Sequence, residues 1–262
     1  MSAQSNFYIT ITIESSTFTG LKTSGYNLFG MVGVVSSNKS GRPAVAVCTN
    51  AYLQNNIVTL SGQLTAYDSI SQIADNSTIT IGSPAAIATG QIATIDPSGS
   101  LSVASGAPAG TVYFVNGAST SYTVGIARSL SLSNVPSSAV PSVAFNAQPT
   151  FMVTTAPTGS ALFFFGTPTY RAGTILTTCF GSAVAIDLAT APADGVTLVY
   201  DQTQGGWLTN NASYLTKIAA GSSITPVLIQ QPGPDTPAAF ALMIQDDPLA
   251  VPGDDSDRTD LG

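Results

Sequence analysis

The sequence predicts an all-β protein, an antiparallel β-sandwich or jelly roll, on three observations. Short runs rich in Val, Ile, Thr, Phe and Tyr alternate apolar with hydroxyl-bearing side chains. Clusters of Gly, Pro, Asn, Asp and Ser separate them roughly every ten residues. No amphipathic helical period extends beyond two turns.

The first run is Phe7–Ile13. It puts Phe7, Ile9, Ile11 and Ile13 on one face and Tyr8, Thr10 and Thr12 on the other, the period-two pattern of a half-buried strand. Comparable runs predict strands at 28–35, 43–48, 57–66, 77–81, 87–95, 111–115, 121–127, 150–155, 161–165, 174–180, 183–188, 196–200 and 224–230. Asp96-Pro97-Ser98-Gly99 has the residues of a type I turn, with Pro second and Gly fourth. Asn116-Gly117 and Asp194-Gly195 are hairpin dipeptides in which positive φ costs little. Residues 212–220 and 237–245 are the candidates for a short helix.

The stretch 134–148 holds two prolines, Pro136 and Pro141, among serines and no strand of ordinary length, so it is the expected internal boundary. Residues 1–133 would form one β-sandwich module. Residues 149–231 would form a second module or continue the same sandwich. From 232 to 262 the chain becomes rich in Pro, Asp and Gly without periodicity, the composition of an extended, disordered acidic tail. Within it Phe240, Leu242 and Ile244 are a candidate assembly arm, able to dock on this body or on a second copy.

Charge is concentrated in that tail. Asp235, Asp246, Asp247, Asp254, Asp255, Asp257 and Asp260 are half of the fourteen acidic residues, and residues 1–234 carry seven acids against six bases. A near-neutral, hydroxyl-covered body has little repulsion to keep copies apart. With no basic stripe, binding to nucleic acid through its phosphates has no footing. No apolar run is long enough for a transmembrane helix. The start, MSAQSNFYITITI, has no signal-peptide pattern, so the expected location is cytoplasmic, or outside the cell after release without a classical signal. The sequons at Asn38, Asn76 and Asn211 are then read as chance matches.

The residues that usually carry chemistry are scarce. The chain has no histidine, one glutamate (Glu14) and 8% charged residues. Neutral-pH acid–base catalysis draws on those groups, so a non-enzymatic protein without cofactor is expected. Cys48 and Cys179 lie in apolar contexts, 131 residues apart, and read as buried free thiols. Without His or clustered Cys, no zinc site is expected. Ser36-Ser37-Asn38-Lys39 has the S-x-x-K spacing but sits in a polar loop. Glu14, Asp68, Asp187, Asp194 and Asp201 fall at strand ends or turns, where Asp is a turn former. The spacing of Asp255, Asp257 and Asp260 lacks the remaining EF-hand ligands.

Two segments suggest other roles. Trp207, the only tryptophan, lies in QTQGGWLTNN, where its ring with Asn210 and Asn211 could stack on and hydrogen-bond a glycan; it could equally cap the core. Residues 77–105 are uncharged but for Asp96 and alternate hydroxyls with Ile, Leu and Val. Pore-forming toxins use such hairpins, and so do ordinary strands with one wet face. The leading expectation is therefore a self-associating structural or binding protein forming homo-oligomers. A lectin-like module with a glycan partner and a β-pore-forming toxin are the alternatives.

Five segments carry a resemblance. Phe7–Ile13, Ser24-Gly25-Tyr26-Asn27-Leu28, Tyr52-Leu53-Gln54-Asn55-Asn56, Ile95-Asp96-Pro97-Ser98-Gly99 and Leu198–Trp207 (LVYDQTQGGW) resemble a family of uncharacterised all-β proteins of fungi and bacteria. The resemblance spans roughly residues 6–210 and implies one architectural unit there. It implies no activity.

Overall fold

The computed structural model describes residues 6–157 and 159–232. The acidic tail from 233 on, with Phe240, Leu242 and Ile244, lies outside the described residues. Among the described residues are twenty-two strands, two α-helices and one 3-10 turn, so the chain is all-β.

The strands form four sheets. The first runs Leu130–Leu132, Asn55–Leu60, Phe7–Ile13, Val196–Asp201, Gly206–Leu208. The second runs Leu215–Ile218, Ala183–Asp187, Ser160–Gly166, Asn27–Val32, Val45–Thr49. One apolar cluster joins these two. Ile9, Ile11, Ile13, Val58, Leu198 and Trp207 come to it from the first sheet; Leu28, Val32, Phe163, Phe165 and Ile186 come from the second. The alternation in Phe7–Ile13 is thereby explained, since its isoleucines face this core while Tyr8 stays 51% exposed.

The third sheet runs Leu101–Ser105, Gln91–Ile95, Val112–Asn116, Met152–Ala156, Val34–Ser36, Ile229–Gln230. The fourth runs Arg42–Pro43, Val143–Ala147, Tyr122–Arg128, Leu64–Ser69, Pro84–Ile87. A second cluster, with Ile95, Val112, Phe114 and Val153 on one side and Leu64, Val124, Ile126 and Phe145 on the other, joins these two.

Several expectations are corrected. Three ladders are parallel: Phe7–Ile13 with Val196–Asp201, Gln91–Ile95 with Val112–Asn116, and Val34–Ser36 with Ile229–Gln230. Parallel partners need long crossovers and leave no turn dipeptide to announce them. The sheets do not part at 134–148. Strands from before and after that stretch share three sheets, and Val143–Ala147 is itself a strand of the fourth. The chain passes between the two sheet pairs at Gly33, Ala44, 61–63, Ser129 and 133–139, between Ala156 and Ser160, and at 219–228.

Ser15–Thr23 is a helix that the hydrophobic pattern does not reveal, because only Thr17 and Leu21 are buried in it. Its signal is the cap: the Glu14 carboxylate accepts the Thr17 N–H at 2.9 Å. Residues 174–180 contribute isolated bridges rather than a strand. Within 224–230, Pro226 opens the short helix Thr225–Leu228 before a two-residue strand. The helix candidate 212–220 holds the strand Leu215–Ile218 instead.

Arg128 sits at the junction of the sheet pairs. It is 8% exposed and has no carboxylate partner among the described residues. Its guanidinium donates to Ser61 O at 2.9 Å and to Pro157 O at 3.2 Å, tying two crossovers together. Burial lowers its pKa to about 10.

Buried phenols set an alkaline limit. Burial pushes Tyr52 up to about 12 and raises Tyr67, Tyr113 and Tyr200 as well. Each folded value lies above the unfolded one, so the stability that these groups contribute is complete below about pH 10 and is lost as pH rises past it. Denaturant midpoints are expected to fall steadily between about pH 10 and about pH 12. A midpoint unchanged across that range would contradict this.

Candidate functional site

Residues 77–105 do not form one hairpin. Pro84–Ile87 pairs with Leu64–Ser69 in the fourth sheet, whereas Gln91–Ile95 and Leu101–Ser105 belong to the third. Ile87, Ala93 and Ile95 are buried in the second core, so the apolar side chains already have protein neighbours. The Asp96 carboxylate holds the turn, accepting the N–H groups of Ser98 at 2.8 Å and Ser100 at 3.0 Å. The bond from the Ser98 hydroxyl, with these backbone bonds, holds its pKa below the usual range.

The outer strand of this turn is a sheet edge. Leu101–Ser105 pairs with Gln91–Ile95 and has no second ladder among the described residues. The Asp96 N–H bond to Ser100 O at 3.0 Å sets the phase of the pairing. Ser102 and Ala104 then direct their backbone groups to the inner strand, and Leu101, Val103 and Ser105 direct theirs outward. Five residues without charge or proline thus form an edge with no second ladder among the described residues, with Pro84–Ile87 of the fourth sheet close beside it. Natural edges are usually blunted by Lys, Pro or a covering segment. The strand Leu215–Ile218, an edge of the second sheet, carries Lys217. The edge Val45–Thr49 is covered, with Val45 exchanging backbone bonds with Thr174 and Gly173.

A second uncharged surface is the outer face of the first sheet. Tyr8 and Ile57, 51% and 53% exposed, stand among Thr10, Thr12, Thr59 and Ser131.

A cleft of about 510 Å³ opens where the loop after Val34–Ser36 meets the last described strand. Lys39, Arg42, Asp75, Thr177, Ser223 and Gln231 are among its lining residues. Gln231 is held by its amide donating to Ser36 O at 3.1 Å. The Asp75 carboxylate accepts the Thr177 hydroxyl at 2.9 Å. Among the described residues the Arg42 guanidinium bonds only to the carbonyls of Ser40 and Gly41, and Lys39 has no polar partner.

The glycan site expected at Trp207, Asn210 and Asn211 is not assembled. Trp207 is 1% exposed, with its ring stacked on Phe165 at 5.6 Å and set edge-on to Tyr200 at 4.9 Å. Its indole N–H donates to Ser182 O at 3.0 Å. No face is left for a sugar, and the residue caps the first core. Asn210 and Asn211 are exposed and adopt positive φ (47° and 60°), which makes them turn residues.

The carboxylates of the sequence reading also hold local structure. Glu14 and Asp201 lie at the ends of the parallel strands Phe7–Ile13 and Val196–Asp201. Glu14 caps the helix, and Asp201 accepts Thr203 N at 2.9 Å and Gln204 Nε2 at 2.7 Å. Hydrogen bonds lower both pKa values, led by those from Ser16 and Thr203, so both are anions at neutral pH. Asp187 accepts Ala189 N and the Thr190 hydroxyl. Asp68 is buried with one oxygen on Ser83 N and the other without a partner among the described residues. Ser36 donates to Thr154 O at 2.7 Å and so is committed to the sheet rather than to Lys39. Cys48 and Cys179 are free thiols.

No protein-family model, curated protein or solved structure matches the chain. No helix of the described residues is long and apolar enough to cross a membrane. Fold and surface define the class on their own: an all-β protein whose described residues form four sheets, one of them ending in the uncharged five-residue strand Leu101–Ser105.

Proposed function

We propose that the protein is a non-enzymatic, self-associating structural or binding protein whose copies join through the edge strand Leu101–Ser105. Each pair of sheets around its cluster is read as a β-sandwich, the rigid unit that such an assembly repeats. The observation that carries the reading is the outward-facing backbone of Leu101, Val103 and Ser105 on an edge without charge or proline. Two copies related by a two-fold axis can pair these strands antiparallel, satisfying the same groups on both. The near-neutral body offers little repulsion against that approach.

Val103→Pro tests it. The substitution removes an N–H directed away from Gln91–Ile95, so the internal ladder stays intact. Wild-type protein is expected to show dimers or larger species by mass photometry and sedimentation velocity. Val103→Pro is expected to weaken association by about tenfold or more, with a melting temperature within a few degrees of wild type. Ala104→Lys, at an exposed position, is expected to act likewise by setting like charges together across the two-fold. Monomeric wild type at every concentration, or variants that associate as wild type does, would sink the proposal.

A further inference from the structure

We propose that the cleft at Lys39 and Arg42 binds a small polyhydroxylated anion, a sugar phosphate or a sugar acid. This is a site separate from the edge strand and independent of self-association. Its volume, about 510 Å³, lies within the range of small-molecule sites and admits one or two sugar rings. Like many such sites, it opens beside the junction between two packed units.

The lining dictates the ligand's chemistry. Two of the body's six basic residues line this one cleft, and neither is neutralised by a carboxylate among the described residues. An ammonium and a guanidinium with donors to spare favour a phosphate or carboxylate. A bare inorganic anion would also face Asp75. That carboxylate has one oxygen on the Thr177 hydroxyl and the other free of partners among the described residues. It can accept from a ligand hydroxyl, and it repels a ligand that offers only negative charge. Ser223 and Thr225 add hydroxyls that donate or accept, while Pro226 and Ile229 give an apolar wall for C–H surface. Cations, an acceptor carboxylate and an apolar wall together suit a molecule with an anionic head and a hydroxylated body.

The test is titration of the full chain with glucose 6-phosphate, glucuronate, glucose and inorganic phosphate, read by calorimetry and by amide chemical shifts. At least one of the two anionic sugars is expected to bind about tenfold tighter than glucose and than phosphate. The stronger of the two identifies the head group as phosphate or carboxylate. Lys39→Ser and Arg42→Gln are each expected to weaken that binding several-fold; both residues are partly or fully exposed, so folding is retained. Asp75→Asn is expected to separate the two halves of the site, weakening the anionic sugar while strengthening inorganic phosphate. Val103→Pro is expected to bind as wild type does, which keeps the site distinct from assembly. Three results would overturn the proposal: no binding of either anionic sugar up to ~10 mM, phosphate binding as tightly as the sugar phosphate, or affinity unchanged in Lys39→Ser.

Discussion

Trp207→Ala is expected to lower stability by about 3–5 kcal/mol, the cost of removing a large, fully enclosed aromatic side chain. The indole lies on Phe165, which meets Tyr52 edge-on at 5.3 Å and Tyr200 at 4.7 Å. Truncation therefore opens a cavity beside Phe165 and Tyr200, each of which loses a packing partner. It also strands Ser182 O, which accepts the indole N–H. Trp207→Phe separates the two contributions. It keeps most of the aromatic contact and loses the hydrogen bond, for an expected cost of about 1–2 kcal/mol. Denaturant unfolding followed by far-ultraviolet circular dichroism measures both. A Trp207→Ala midpoint close to wild type would mean that the ring is not the cap of the first core.

Trp207 also shows where sequence reading runs out. Its loop, with adjacent glycines before it and asparagines after, has the composition of an exposed binding loop. What buries the ring is chain from elsewhere, Phe165 and Ser182, once the turn Gln202–Gln204 has set Trp207 opposite Tyr200. By contrast, the isoleucines of Phe7–Ile13 announce both their strand and their buried face, because local alternation and tertiary burial agree there. Leu101–Ser105 shows only within the alternation of 77–105 and not as a run of its own, because an edge strand with one partner needs no strongly apolar face. Leu130–Leu132 and Gly206–Leu208 are simply too short to show a period. The cleft was beyond reach for a different reason. Lys39, Asp75, Thr177 and Ser223 are widely separated in sequence and meet only because the sheet pairs interleave along the chain. The uncharged character of 77–105 was visible, but not that its strands divide between two sheets. That division turns a candidate membrane hairpin into core and edge.

Gly33→Ala is expected to destabilise the protein by about 3 kcal/mol or more, at the top of the overpacking range. Gly33 links Asn27–Val32 in the second sheet to Val34–Ser36 in the third, so it lies at the junction of the two halves. A Cβ there would stand 2.2 Å from Leu228 O and 2.7 Å from Leu228 C and Cα. All are backbone atoms, so no rotamer change can relieve the contact. Gly159 closes the other side, since its own Cβ would come within 2.8 Å of Gly33 C and O. Relief must come from moving Leu228, which directly precedes Ile229–Gln230, the strand paired with Val34 and Val35. The added methyl thus acts on the third sheet's edge as well as on the crossover. Gly20→Ala is the matched control. It makes the same chemical change in the helix Ser15–Thr23, where a Cβ meets nothing within 4 Å, and is expected to stabilise by roughly 0.5–1 kcal/mol. Guanidinium midpoints should therefore move in opposite directions for the two variants. Midpoints that move together would mean that the junction can yield at Gly33, and that the two halves are less tightly joined than backbone-on-backbone packing implies.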